Sequence, residues 1–209
     1  MTRADANPIR RLGRRLGTEL RLDRGRWLWL LLIALLLNLL LALGDGVSAL
    51  LRYERGAIAA GGWWRLLSAH LVHLDIHHLL LNEGGLVLVW SLFADDFDVL
   101  DWSVIVVTGA LAISSGLWWL SPGVGWYVGA SGLLHTAMAA GTAKHVATRE
   151  WDRWILLGGL SMKLAYEQFA GRDTALVVVD AHLYGAIAGF LVGAALCGRM
   201  AIIRHRSSA

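Results

Sequence analysis

Two polar side chains in the apolar C-terminal half of the sequence could together cleave an amide bond. Ser131 stands in "GASG", between Gly129 and Gly132, and His182 stands in "DAHLYG". A hydroxyl at the start of a helix lies beside free backbone N–H groups, which favour a developing negative charge. A neutral imidazole, with an ordinary pKa of about 6.5, can take the serine proton and return it to a leaving amine. The pattern predicts Ser131 as a nucleophile and His182 as its base.

A second pair, His78 and Asn82, could stabilise the oxyanion formed in such a reaction. The two residues are four positions apart, so they share one face of a helix, and both side chains can donate hydrogen bonds. Losing one oxyanion donor typically costs about 100-fold to 1000-fold in rate. We therefore predict an oxyanion hole formed by His78, Asn82 and Ser131. The alternative is that these polar groups only stabilise a helix bundle.

The sequence offers no evident acidic partner for the imidazole. Asp180 is close to His182 in the chain, but a residue two positions away on a helix points elsewhere. We therefore expect a Ser131–His182 dyad without a third member.

The surrounding segments are those of an integral membrane protein. Of the 209 residues, 56% are apolar and 17% are charged, and the apolar residues fall into long runs. About 20 apolar residues cross roughly 30 Å of hydrocarbon. We count six such segments, near residues 27–44, 77–94, 102–120, 127–146, 154–170 and 176–197. The prediction is an all-α, six-helix bundle over 27–198, with a retained basic arm (1–26) and a basic tail (199–209).

The distribution of basic residues predicts the orientation. Cytoplasmic termini place fourteen Lys and Arg residues inside and four outside, which agrees with the positive-inside rule. Both termini are therefore expected in the cytoplasm. The high pI of about 9.4 then reflects topology and anionic lipid, so no nucleic-acid partner is predicted. In this orientation the second, fourth and sixth segments begin at the outer side, where the candidate site residues meet.

A serine and a histidine on different helices require a close helix contact. The sixth segment carries glycines at four-residue intervals, and the fourth carries small residues at the same spacing. The two stripes are Gly185, Gly189, Gly193 and Gly132, Thr136, Ala140. Small residues at this spacing let backbones approach in lipid. We predict that these two stripes face each other.

These motifs resemble those of the rhomboid intramembrane serine proteases. "HHLLLN" is similar to the H-x-x-x-N motif of their second helix, "GASG" to G-x-S-G, and "AHLYG" to A-H-x-x-G. The match spans most of the chain in the same order. The sequence is most similar to the rhombosortase branch, on "WWRLLSAHLVHLDIHHLLLN", the histidine in "SGLLH", "KLAYEQ" and "DAHLYGAIAG".

The resemblance implies particular roles and a particular substrate. Ser131 would be the nucleophile, His182 the base, and His78 and Asn82 the oxyanion donors. The substrates would be exported bacterial proteins with a C-terminal GlyGly-CTERM tail, which is a glycine-rich motif, a membrane helix and a basic cluster. The site would then lie near the periplasmic side of the inner membrane, without a metal or other cofactor. His135 replaces the aromatic residue common in rhomboids and could pack on His182 or bind substrate.

Lys163 and Glu167 form an oppositely charged i, i+4 pair in the fifth segment. A lysine in the middle of a membrane helix costs about 2.5 to 3.5 kcal/mol, so it needs a partner. The pair either neutralises itself inside the bundle or contacts the substrate.

Other functional classes remain open from the sequence. "HLVHLDIHH" contains His70, His73, His77 and His78, and could be a metal box in a metal or haem protein. We expect instead that His70, His73 and His77 line a water-accessible mouth. A rhomboid-like protein that binds membrane clients without cutting them is the other alternative, although the intact Ser131 and His182 disfavour it.

Overall fold

The structure, a computed structural model, describes residues 24–146, 151–169 and 178–207. It describes side chains over 27–144, 154–169 and 178–197. Most of the predicted basic arm (1–23) lies outside the described residues, as do the side chains of the predicted tail (199–209).

Six long helices occupy the positions of the six predicted segments. They are α1 (Arg24–Ala42), α5 (Ile76–Phe93), α6 (Val99–Trp119), α7 (Ser131–Val146), α8 (Trp151–Phe169) and α9 (Val179–Ser207). Short elements fill the first long connection: α2 (Asp45–Leu51), β1 (Tyr53–Glu54), α3 (Arg55–Ala59), α4 (Arg65–Ser68) and a 3₁₀ helix (Ala69–Leu71). Strand β2 (Trp126–Tyr127) precedes α7 and pairs antiparallel with β1. The described part of the chain is thus mainly helical.

The predicted number of six membrane spans is not confirmed. Within the described residues, α5, α6 and α9 are long and apolar enough to cross a membrane. A fourth span results if α1 and α2, which meet at 113°, count together as one broken span. Helix α7 has only 16 residues, and α8 carries four charged residues among its 19. These two helices fall short because of their length and charge, and both supply candidate site residues.

Helices α7 and α9 pack with their backbones in contact. A Cβ atom built on Gly185 would overlap the carbonyl oxygen of Gly132, and one on Gly189 would overlap that of Thr136. The same holds for Gly193 and Ala140. The predicted facing of the two small-residue stripes is therefore confirmed. This contact fixes the positions of the residues at the start of both helices relative to one another.

Arg55 connects the β1 region to the carboxyl end of α6. Its guanidinium donates to the carbonyl oxygens of Leu117 (2.7 Å), Trp118 (3.0 Å) and Ser121 (3.2 Å). The last carbonyls of a helix have no partner within it, and a cation there also interacts favourably with the negative end of the helix dipole. The arginine therefore anchors the segment that leads to β2 and α7.

Candidate active site

Ser131 is the first residue of α7, and the loop before it is held in place on several sides. Gly129 has φ +116°, a left-handed conformation that favours glycine. The Gly129 amide donates to the Ala69 carbonyl at 3.0 Å, and the Tyr127 hydroxyl donates to the Gly129 carbonyl at 2.7 Å. The serine therefore stands at a helix N-terminus, where the first backbone N–H groups have no intrahelical partner.

His182 reaches Ser131 from the first turn of α9. The hydroxyl oxygen of Ser131 lies 2.8 Å from Nε2 of His182, which is hydrogen-bonding distance. The imidazole is 5% exposed. A Cβ atom on Gly132 would come within 3.1 Å of the Ala181 carbonyl oxygen, so little space separates the two helices here. The structure thus brings together the serine and the histidine that the sequence singled out.

An acidic residue does contact His182, whereas we expected Ser131 and His182 to form a pair without an acidic third member. Nδ1 of His182 lies 2.9 Å from Oε2 of Glu167 on α8. Asp180 points elsewhere, as predicted, because its carboxylate accepts from the Ser121 hydroxyl at 2.6 Å. Spacing along the helix of His182 excludes Asp180 but gives no information on a carboxylate carried by another helix. The signal that could have found Glu167 was a charged residue in an apolar segment that still lacked an assigned function.

Lys163, Glu167 and His135 form one hydrogen-bonded network beside His182. The ammonium of Lys163 donates to Oε1 of Glu167 and lies 2.9 Å from Nε2 of His135. Nδ1 of His135 lies 2.7 Å from the carbonyl oxygen of Ser131. The two imidazole rings of His135 and His182 are stacked, with centroids 4.2 Å apart and planes inclined by 13°. The packing of His135 on His182 is one of the two sequence-based alternatives for this residue.

His78 lies beside the serine loop, and Asn82 lies one turn further along α5. The Asp75 side chain caps this helix by accepting from the His78 amide at 2.8 Å, which fixes His78 in the first turn. A Cβ atom on Gly129 would come within 2.7 Å of Nε2 of His78. Both ring nitrogens of His78 are buried without a hydrogen-bond partner among the described residues. Asn82, 4% exposed, donates to the His78 carbonyl at 3.0 Å.

Of the three histidines expected to line a water-accessible mouth, His70 and His73 are buried, and only His77, in the first turn of α5, is exposed. His70 is 0% exposed and His73 is 3% exposed. His70 packs edge-on against Tyr127 with ring centroids 5.5 Å apart. Its position is thus beneath the loop that carries Ser131. Helix α6 contributes to this burial, because the Ser114 hydroxyl oxygen lies 3.4 Å from Nε2 of His70.

The structure also places three metal-ligating side chains close together, but they suit a metal poorly. Ligand atoms of His135, Glu167 and His182 all lie within 4.8 Å of one another. The Lys163 ammonium, however, already contacts two of these three side chains. A metal cation would have to displace this ammonium. The predicted alternative of a metal box in "HLVHLDIHH" finds no matching cluster within the described residues.

Comparison with known proteins places these residues in a family context. A family model described as the Rhomboid domain matches residues 60–199, which is more than half of the chain. The matched stretch includes every site residue described above. No curated protein matches the chain significantly.

Proposed function

Because this chain belongs to the rhomboid family, whose members are intramembrane serine proteases, we propose that it cleaves membrane proteins with Ser131 as nucleophile and His182 as base. The observation that carries the proposal is the 2.8 Å separation of the Ser131 hydroxyl oxygen and Nε2 of His182. A nucleophile and a base within hydrogen-bond reach are the minimum geometry for covalent catalysis of this kind.

The reaction proceeds through an acyl-enzyme. The Ser131 oxygen forms a bond to the substrate carbonyl carbon as its proton moves to Nε2 of His182. The carbon–nitrogen bond then breaks, and the leaving amine takes that proton. Water next attacks the acyl ester, gives a proton to His182 and releases the carboxylic acid, and His182 returns the proton to Ser131. Every proton is thus accounted for within the Ser131–His182 pair.

The oxyanion of the tetrahedral intermediate would be bound by the α7 N-terminus and His78. His78 supports this assignment because its buried ring nitrogens have no other partner among the described residues. Buried polar groups normally have hydrogen-bond partners. An unpaired one beside the nucleophile is suited to bind the oxyanion, which exists only during the reaction. Asn82 currently donates to its own helix, and it would contribute to the oxyanion hole by turning its amide.

The similarity to rhombosortases extends the proposal to a substrate class and a location. The substrates would be exported proteins anchored by a C-terminal GlyGly-CTERM tail. The enzyme would lie in the bacterial inner membrane with both termini in the cytoplasm, and would cut near the periplasmic side. Two further candidates are a rhomboid protease with other membrane substrates and an inactive rhomboid-like protein that binds clients.

Co-expression with a GlyGly-CTERM reporter tests this function. We expect the wild-type chain to remove the tail, as shown by the reporter's mass, and the Ser131→Ala variant to leave it intact. A fluorophosphonate probe should label the wild type and not Ser131→Ala.

Different outcomes separate the candidates. If a generic rhomboid substrate is cut and the reporter is not, the chain is a rhomboid protease with other substrates. If neither substrate is cut and no probe labels Ser131, the catalytic proposal is wrong and the client-binding function replaces it.

A further inference from the structure

The catalytic proposal above leaves Glu167 without a function. Resting on that proposal, we propose that Glu167 is a positioning residue that completes a Ser131–His182–Glu167 chain of hydrogen bonds. Lys163 fixes the orientation of the Glu167 carboxylate, and His135 fixes that of the His182 imidazole. The pair Lys163 and Glu167 then serves the chemistry through His182 instead of binding substrate or only neutralising a buried charge.

The first step of the argument concerns which nitrogen of His182 carries the proton. A carboxylate can only accept, so the atom that faces it across 2.9 Å, Nδ1 of His182, must donate its proton to Glu167. Nε2 is then left with its lone pair, and it faces the Ser131 hydroxyl at 2.8 Å. This is the tautomer that can act as a base toward serine, and the same logic governs serine–histidine–acid triads in general.

The second step concerns why Glu167 presents a carboxylate oxygen to His182. Lys163 donates to Oε1, and Oε2 is left to face Nδ1 of the histidine. The Glu167 side chain is only 17% exposed, and that of His182 is 6% exposed. An ammonium on one oxygen keeps the carboxylate ionised and fixes its rotation, so each oxygen has one assigned partner.

The third step concerns His135. Its Nε2 faces the Lys163 ammonium, which can only donate, so this nitrogen accepts. Its Nδ1 must then carry the proton, which it donates to the Ser131 carbonyl at 2.7 Å. His135 is therefore neutral, and a neutral ring stacked 4.2 Å from His182 does not repel the imidazolium that forms during catalysis.

Glu167→Gln tests the proposal with little change in shape. The Lys163 ammonium will hold the amide oxygen, so the amide NH₂ will face Nδ1 of His182 and stabilise the tautomer protonated at Nε2. That tautomer cannot accept the serine proton. We expect kcat to fall by at least about 100-fold and up to about 10⁴-fold, with KM nearly unchanged. Glu83→Gln is the matched control, because Glu83 on α5 contacts Asn38 of α1 and not the site.

A charge exchange separates positioning from folding. In the double variant Lys163→Glu/Glu167→Lys the ion pair remains, but an ammonium then faces Nδ1 of His182 and cannot accept its proton. We expect the protein still to fold, as a cooperative melting transition in detergent will show, although a carboxylate at position 163 no longer donates to Nε2 of His135. The cleavage rate should fall as far as in Glu167→Gln. Recovery of cleavage in this variant would overturn the proposal, because a merely neutralising pair works in either order.

The tautomer itself provides a direct readout. In protein with ¹⁵N-labelled histidine, the His182 resonances, assigned by comparison with His182→Gln, should report Nδ1–H in the wild type and Nε2–H in Glu167→Gln. An unchanged tautomer or a kcat within twofold of wild type in Glu167→Gln overturns the proposal. So does a loss that lies in KM alone, which would indicate substrate contact. If the wild type neither cuts nor labels, the proposed function fails, whereas the tautomer measurement still decides the role of Glu167.

Discussion

Three interactions beside Ser131 converge on His135. Its ring stacks on His182, accepts from Lys163 and donates to the Ser131 carbonyl. The stack limits the rotation of the His182 ring, and the two hydrogen bonds limit the rotation of the His135 ring. The His135 ring acts on His182 through stacking, and its two nitrogens act through hydrogen bonds. Substitutions can separate these two effects.

We predict that His135→Phe retains more activity than His135→Ala. Phenylalanine keeps a ring against His182 but loses both hydrogen bonds, whereas alanine loses the ring as well. A ring pair is worth about 0.5 to 1.5 kcal/mol, so kcat of the alanine variant should be roughly 2-fold to 10-fold lower than that of the phenylalanine variant. Initial rates of reporter cleavage measure this difference. Equal rates would show that the stack does not position His182.

At this scale the sequence predicted that Ser131 and His182 meet, but it did not predict all of their partners. Ser131 and His182 could be identified because a serine among glycines and a histidine in an apolar segment have few other uses in a membrane. Glu167 was recognised only as the partner of Lys163, four residues away on the same helix. Its contact with His182 depends on the rotation of α8 about its axis, which pairwise spacing within one helix does not specify.

At the scale of elements, the seam between α7 and α9 determines whether the two candidate catalytic residues can meet. Glycine at positions 185, 189 and 193 allows the backbone of α9 to touch α7. Any side chain at these positions would push the helices apart and lengthen the Ser131–His182 hydrogen bond.

We predict that Gly189→Ala impairs both stability and probe labelling. The added methyl would overlap the Thr136 carbonyl oxygen, and overpacking of this kind typically costs about 1 to 3 kcal/mol. Gly84→Ala is the control, because a Cβ atom on that α5 glycine meets nothing within 4 Å, and alanine favours the helix by up to about 1 kcal/mol. Melting in detergent and fluorophosphonate labelling measure both effects. A Gly189→Ala protein with wild-type melting and labelling would contradict the role of the seam.

The elements themselves were largely predictable, since long apolar runs leave helix as the favoured structure in a membrane. The span count was harder to predict, because α7 is shorter than a full crossing and α8 is interrupted by charges. The loop before Ser131 was not predicted in detail. The Gly129 amide bonds to Ala69, and β2 pairs with β1, both across long stretches of sequence.

At the scale of the whole molecule, buried histidines outside the membrane spans couple stability to pH. Burial lowers the pKa of His70 to about 4 and that of His73 to about 4, the latter also because His78 lies nearby. In the unfolded chain both titrate near 6.5. Between these values the unfolded chain binds more protons than the folded one. The free energy of unfolding should therefore be unaffected by these histidines above pH 6.5, and it should decrease as the pH falls toward 4.

We predict that His70→Gln weakens this dependence. Each buried histidine contributes up to about 1.4 kcal/mol per pH unit between pH 6.5 and 4. The melting temperature of the variant should therefore be lower than that of the wild type at pH 7, and the difference should shrink or reverse at pH 5. Melting curves in one detergent at both pH values measure it. A constant difference between the two proteins would mean that His70 does not titrate on unfolding.

The network that joins Lys163, Glu167 and His135 limits which substitutions these positions can accept during evolution. A mutation that removes either acceptor leaves the Lys163 ammonium with one of its two hydrogen-bond partners, so positions 135, 163 and 167 should vary together among related sequences. A descendant that acquires an aromatic residue at 135 should tolerate it best after losing the positive charge at 163. The three positions thus form a heritable unit, and a signature built on the serine and histidine motifs alone would overlook it.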